Sequence, residues 1–391
     1  KNMREIFCAL DVGSERIKAL VFEQKKGSFS LLSKKEKESD GVKNGIVTNV
    51  EKLVLRLQPL FSEIREEFKK DLKGVILALN GPHLFSMFSQ GTVSVSRADQ
   101  VVSPEDAERA VEEAKKLNIS QNKKILEFFP FGFQIDGEGE VKNPVGLKGI
   151  KLEVRGVAVG YFLPYFKNLQ EAILRCDLEI LDVFAGPLAS ALAISTKKEK
   201  ELGCVFLDLG AQTTSLSVFE NDNLVYLSVL PLGSERITRE IAIEFKVDYE
   251  VAKRIRLECG SSKQKAKTKP EEIWVEDEVF KISPKKIAKI VEKKFSEIFS
   301  QVLKELKLIQ KEKLPGGIIL TGGESENSGV LKIAKRKFNL PVKKGIIEID
   351  PSLPANFSTC AGLVKMFQEQ PILKEKSFFQ KIKKIFQDIL P

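Results

Sequence analysis

The chain has 391 residues, 42% of them hydrophobic and 30% charged, the composition of a folded protein too long for one ordinary domain. Its net charge of +9 comes mainly from lysine and permits acidic partners or anionic lipid, scattered surface lysine being the usual explanation; no nucleic-acid partner is expected. The single histidine, His83, argues against histidine metal clusters and Ser-His triads, and no apolar run approaches the ~20 residues that span a bilayer.

The opening Lys1-Asn2-Met3-Arg4 carries no apolar stretch, and no secretory signal is read there. From Phe7 to Glu23 an apolar run ends in Asp11-Val12-Gly13-Ser14 and then alternates, which predicts a strand, a tight turn and a returning strand. Farther on, Gly91 to Ser96 reads as a strand, and Ser103-Pro104-Glu105-Asp106 opens a helix with a cap, an early proline and early acids. Alternating stretches follow at Phe128 to Ile135 and Lys151 to Tyr161.

The opening pattern then recurs about half the chain later, from Cys204 to Glu220. Asp208 matches Asp11, Gly210 matches Gly13, and Val218-Phe219-Glu220 matches Val21-Phe22-Glu23. A unit duplicated at that period predicts two related domains. Gly260 to Pro270 is a lysine-rich loop, and Ser283-Pro284 starts a long helix to about Gln310, with Ile287, Ile290, Val291, Phe295, Ile298 and Val302 at helical spacing. Next, a buried strand from Ile318 to Leu320 ends in Thr321-Gly322-Gly323, with a helix from Val330 to Phe338.

After the break at Pro371, Phe378, Phe379, Ile382, Ile385, Phe386, Ile389 and Leu390 form one apolar stripe, with Lys381, Lys383 and Lys384 off it and Ser377 as N-cap. An aromatic-rich face opposed by lysines suits a helix lying in a membrane interface; a helix packed on the protein body is the other reading. The five cysteines, Cys8, Cys176, Cys204, Cys259 and Cys360, form no C-x-x-C pair and read as small hydrophobes in a reducing compartment.

The two Asp-x-Gly turns carry the chemistry. Glycine lets backbone N–H groups approach an anion, and an aspartate at the strand end can hold hydrated Mg²⁺. Asp11 and Asp208 are therefore candidate Mg²⁺ residues, most simply through water. The glycines after Thr321 let the chain turn against a flat ligand.

Two such hairpins and a late Thr-Gly-Gly turn resemble the superfamily of actin, the DnaK-type chaperones and the sugar kinases. The resemblance implies ATP in a cleft between two α/β domains, each with an RNase H-like core. Within it the chain resembles the FtsA family of bacterial cell-division proteins over nearly its whole length. The segments Gly41-Val42-Lys43-Asn44-Gly45-Ile46-Val47, Leu77-Ala78-Leu79-Asn80-Gly81-Pro82-His83 and Phe184-Ala185-Gly186-Pro187-Leu188-Ala189-Ser190 carry the likeness. So does Lys142-Asn143-Pro144-Val145-Gly146-Leu147-Lys148-Gly149, the most specific motif.

The resemblance implies that Asp11, Gly13, Ser14 and Arg16 meet phosphate in the first loop, with Arg16 where a lysine is usual. Asp208, Gly210, Gln212 and Thr213 would do so in the second, with Gly233 at the following helix start. Gly322 and Gly323 would meet the adenosine, and Arg256 would replace a ribose-side lysine. Two departures bear on this. The family's second loop reads D-I-G-G-G-T, whereas Ala211 and Gln212 stand here in place of glycines that could take positive φ; and Lys253 replaces a usual glutamate. Asp208 is the candidate catalytic residue, organising metal and water. No residue stands out for positioning an attacking water, so ATP binding with slow or negligible turnover is expected.

The family pattern further implies subdomain 1A from 1–81 and 163–196, an inserted subdomain 1C at 82–162, subdomain 2A from 197–233 and 316–371, subdomain 2B at 234–315, and a linker with an amphipathic membrane helix at 372–391. It implies self-association into filaments, division-protein contacts through 1C, and binding of the C-terminal peptide of the tubulin-like FtsZ at 2B, near Lys285, Lys286, Lys289 and Lys293. The place of action would be the cytoplasmic face of the cell membrane at the division site. A platform of type IV pilus assembly related to PilM is the alternative. It would share the fold and reach the membrane through another protein.

Overall fold

The computed structural model of the protein describes residues 5–25, 28–68, 72–259, 271–275 and 278–369. The expected membrane helix at 372–391 and the lysine-rich loop from Gly260 to Pro270 lie outside them.

The chain opens with an antiparallel meander, β1 (Glu5–Val12), β2 (Arg16–Lys25) and β3 (Ser28–Glu38), followed by a small hairpin, β4 (Val42–Lys43) and β5 (Ile46–Val47). Helix α1 (Val50–Phe68) buries Leu53, Leu57, Leu60, Phe61 and Ile64, an i, i+4, i+7, i+8, i+11 stripe against the sheet, and returns the chain to β6 (Leu72–Leu79). After an excursion the chain re-enters through α3 (Leu163–Leu174) and β11 (Ile180–Ala185). The first sheet has the order β11-β6-β1-β2-β3, with β6 and β11 parallel to β1.

The excursion comprises β7 (Phe85–Ser94), α2 (Pro104–Lys115), β8 (Lys123–Ile135), β9 (Glu138–Val141) and β10 (Lys151–Phe162), in a sheet of order β7-β10-β8-β9. The first of these strands begins at Phe85 and ends at Ser94, not over the expected Gly91 to Ser96. Its pairing with β10 runs from Phe85 to Ser94 and sets those limits. Ser103 caps α2 reciprocally with Asp106: Asp106 N donates to Ser103 Oγ at 3.2 Å, and Ser103 N to Asp106 Oδ2 at 3.0 Å.

Helices α4 (Gly186–Ile194) and α5 (Lys197–Leu202) lead to a second meander, β12 (Cys204–Leu209), β13 (Thr214–Glu220) and β14 (Asn223–Leu230). Then come α6 (Glu235–Phe245), α7 (Tyr249–Cys259), the hairpin β15 (Glu271–Val275) and β16 (Glu278–Ile282), and α8 (Pro284–Leu308). The chain closes with β17 (Ile318–Thr321), α9 (Ser328–Phe338), β18 (Val342–Lys344) and α10 (Ser358–Glu369). The second sheet is ordered β14-β13-β12-β17-β18 with β17 and β18 parallel to β12, so it repeats the first sheet strand for strand.

The halves meet where α4 crosses α10. Nearly all of α4 is buried, and its small residues make the close crossing possible. A Cβ at Gly362 would lie 1.7 Å from the Ala189 carbonyl oxygen, so only glycine fits there. One hydrophobic core runs from Leu10 and Phe61 in the first half through Ala189 to Phe206 and Leu363.

His83 lies between β6 and β7, edge-on to Tyr165 with ring centroids 5.3 Å apart, and neither ring nitrogen has a hydrogen-bond partner. Burial pushes its pKa down to about 4. Above the ordinary pKa of 6.5 the ring is neutral in both states. As pH falls from 6.5 toward 4 the unfolded chain takes up the proton first, so this site's contribution to stability falls. The only imidazole of the chain should therefore titrate by proton NMR with a midpoint near 4. His83→Phe should reduce the acid loss of stability over that window, read from urea unfolding at pH 7.5 and pH 4.5.

Candidate functional site

Each meander ends its first strand in an aspartate and turns at a glycine. Gly13 N donates to Arg16 O at 3.1 Å, and Gly210 N donates to Thr213 O at 2.9 Å, so the two turns are built alike. Strand register then decides what faces each aspartate. Lys18 lies directly across from Asp11 in the β1–β2 pair, and Ser215 directly across from Asp208 in the β12–β13 pair.

Lys18 Nζ donates to Asp11 Oδ2 at 3.0 Å, and Asn80 Nδ2, at the end of β6, donates to Asp11 Oδ1 at 2.8 Å. Asp208 comes from the other half. Thr359 Oγ1, on α10, donates to Asp208 Oδ2 at 3.4 Å. Gly322 has φ of +83°, and a Cβ there would sit 2.3 Å from Asp208 Oδ1, so the Thr-Gly-Gly turn presses backbone against this carboxylate.

Burial pushes the Asp208 pKa up to about 6; the Lys18 charge opposes the rise and the Asp11 charge adds to it. Burial works to lower the Lys18 pKa, but Asp11, Cys360 and Asp208 together outweigh it and hold the ammonium charged. The floor of the cleft thus holds one ammonium that is bonded to Asp11 and acts through its charge on Asp208 of the other sheet.

Asp11, Gly13, Ser14, Arg16, Asp208, Gly210, Gln212, Thr213, Gly322 and Gly323 line one cavity between the halves. Gly233 does not line it. It lies under the second turn, where a Cβ would be 2.3 Å from the Ala211 carbonyl oxygen. Arg256 is also absent from that lining. It is ion-paired with Glu324 and lines an adjoining cavity with Lys253 and Tyr249. Neither Ala211 nor Gln212 takes positive φ, so the second turn closes without glycine at those positions.

The side chains at the mouth are already engaged. Ser14 Oγ accepts from Gly45 N at 2.8 Å, Gln212 Oε1 accepts from Asn44 N at 2.7 Å, and Lys253 Nζ lies 2.8 Å from Glu15 Oε1. Sequence reasoning missed Lys18, Asn80, Thr359 and Glu15. For Lys18 a signal existed, because counting across the hairpin from Asp11 over the turn reaches it. Thr359 carries no local signal, and nothing in the segment 77–83 marks Asn80 as a partner of Asp11.

A family model described as "Cell division protein FtsA" matches residues 205–362, and one described as "SHS2 domain inserted in FTSA" matches residues 81–159. The "Cell division protein FtsA" of Neisseria meningitidis serogroup B is 30% identical over 376 residues, covering 93% of this chain and 90% of that protein. The protein of the same description from Bacillus subtilis is 28% identical over 345 residues, covering 85% of this chain and 77% of its own length. Among solved structures, the "PilM-PilN type IV pilus biogenesis complex" aligns with a TM-score of 0.65 at 16% identity, over 93% of this chain and 98% of that one. "MreB5 of Spiroplasma citri bound to ADP" aligns with a TM-score of 0.56 at 14% identity, over 97% and 98%.

Twin sheets of one strand order around a cleft, with a separate inserted sheet, define an actin-like α/β protein. The chain belongs to the FtsA family of cell division proteins.

The Asp208 carboxylate is an uphill feature of the fold. With its pKa raised above the ordinary 3.8, it costs stability above pH 6, and the cost vanishes as protonation completes below 3.8. Asp208→Asn should stabilise the protein by roughly 1–2 kcal/mol at pH 7.5, with the gain fading toward pH 4. Thermal unfolding at the two pH values checks this.

Proposed function

We propose that this protein binds ATP with Mg²⁺ in the cleft between its halves and acts as a polymerising adaptor that joins FtsZ filaments to the cytoplasmic membrane at the division site. The observation that carries the reading is the facing pair Asp11 and Asp208, each at the end of an equivalent strand, with Lys18 beside them in an FtsA-family chain.

The residues present fit a nucleotide. The glycine turns offer close backbone approach, Lys18 and Arg16 offer positive charge, and the Gly322 turn leaves no side chain between backbone and ligand. Asp11 and Asp208 would hold Mg²⁺ through water, and the ion would screen phosphate charge. Asp208 would orient the metal's water shell, Thr213 and Gln212 would flank the phosphates, Gly322 and Gly323 would lie along the adenosine, and Arg256, reached from the adjoining cavity, would approach the ribose. Slow or negligible hydrolysis belongs to the same reading.

In the same reading, 234–315 takes the acidic C-terminal peptide of FtsZ and 82–162 takes self-contacts and other division proteins. Residues 372–391 lie in the membrane interface through Phe378, Phe379, Ile382, Ile385, Phe386, Ile389 and Leu390, with Lys381 and Lys384 toward anionic headgroups. Among the described residues no helix is long and apolar enough to cross a membrane.

Two measurements test this. Co-sedimentation with anionic liposomes should pellet the full chain and leave a chain stopped after Pro371 in solution; if both stay soluble, the anchor is wrong and a pilus-type platform gains. ATP binding, followed by calorimetry with Mg²⁺, should weaken at least tenfold as pH falls from 7.5 to 5, because Asp208 protonates near 6. Asp208→Asn should be weak at both pH values.

A further inference from the structure

The mouth of the cleft is spanned by side chains that the D-I-G-G-G-T and A-E-x-x-K patterns do not supply. Gln212, at the tip of the second turn, sends its carboxamide across the mouth to accept the Asn44 N–H at 2.7 Å. Lys253, on α7, reaches the tip of the first turn and pairs with Glu15 at 2.8 Å. These are separate contacts, made by two different elements of the second half to two different loops of the first. A longer one follows at the rim, where Asn356 Nδ2 donates to Glu36 Oε1 at 3.3 Å.

The turn that Gln212 grips is the one between β4 and β5. Its two successive N–H groups, at Asn44 and Gly45, are donors of the kind that receive anions, and both are taken: one by Gln212 and one by Ser14. Asn44 has φ of 51° and Gly45 φ of 74°, so the turn is a compact left-handed pair whose amides have little freedom to re-aim. Lys253 is likewise spent on Glu15.

We infer that Gln212–Asn44 and Lys253–Glu15 form a latch across the mouth of the cleft that sets the threshold for entry of a polyphosphate. The inference rests on the nucleotide reading of the same cleft. A polyphosphate is the ligand chemistry that releases both contacts. Its oxygens replace the Gln212 carboxamide as acceptor for the Asn44 amide, and its charge competes with Glu15 for Lys253. An uncharged ligand can offer an acceptor to the Asn44 amide but no charge to compete with Glu15 for Lys253. Because only the open fraction receives ligand, apparent affinity falls by that fraction, and one net hydrogen bond corresponds to up to about tenfold.

Amide hydrogen exchange in the nucleotide-free protein, read at Asn44, tests the latch directly. Gln212→Ala should speed exchange of the Asn44 amide by about tenfold. Gln212→Glu, which keeps the acceptor, should leave it protected, and Lys253→Ala should loosen it more weakly. In stopped flow with a fluorescent N-methylanthraniloyl ATP, Gln212→Ala and Lys253→Ala should each bind faster than the native chain, by several-fold to about tenfold. Unchanged Asn44 exchange in Gln212→Ala overturns the latch. Binding by the native chain and both variants at equal rates overturns the gating while leaving the nucleotide reading intact. If neither the native chain nor the variants bind the analogue at millimolar concentration, the nucleotide reading falls and the gating falls with it.

Discussion

A partly buried ammonium, bonded to Asp11 and acting through its charge on Asp208, is the interaction around which the cleft is organised. Asp11 and Asp208 belong to different sheets, and bringing two carboxylates into one cleft is unfavourable unless a cation accompanies them. Lys18 is that cation. It is fixed by the β1–β2 register opposite Asp11, and it acts electrostatically on Asp208 as well. The arrangement compensates Asp11 more completely than Asp208. Asp11 accepts from Lys18 and Asn80 at short distance, while Asp208 has the longer contact to Thr359 and a raised pKa. Asp208 is thus the less compensated of the two carboxylates, and burial is the main reason its pKa is raised.

That placement requires the two sheets to be held at a fixed separation. The crossing of α4 and α10 does this at the base of the cleft, with Gly362 against Ala189 and the Ser217 hydroxyl donating to the Pro187 carbonyl at 2.9 Å. Thr359, which touches Asp208, sits on the same helix as Gly362, so the contact that joins the halves also delivers a group to the site. The inserted sheet braces the arrangement from the side. The Ser86 hydroxyl both donates to the Leu227 carbonyl and accepts from the Leu227 amide, covering the exposed edge of β14.

The two halves repeat each other in strand order but not in chemistry. Lys18 in the first corresponds by register to Ser215 in the second, and Ser14 in the first turn faces its own half while Gln212 in the second reaches across. Duplication supplies the frame, and substitutions at equivalent positions make one cleft with two unlike walls.

Sequence by itself determined the actin-like fold class, the FtsA-family resemblance and the two aspartates at the ends of matched strands. The aspartate turns are local patterns, period-2 alternation broken by glycine and repeated at half the chain length, whereas the fold class and family rest on the resemblance of whole motifs. The bounds of β7 were less legible, because its residues Phe85 to Gln90 take their places by pairing with β10. Tertiary structure alone decided that Arg256 turns to Glu324, that Gly233 supports the second turn from beneath, and that Thr359 and Asn80 enter the site. It also decided that Gln212, read as a phosphate-loop residue, bonds to Asn44 across the cleft. The reason is physical. A side chain's partner is set by which backbone lies within a few ångströms after folding, and Gln212 and Asn44 are separated by 168 positions along the chain, a distance over which no local pattern carries information.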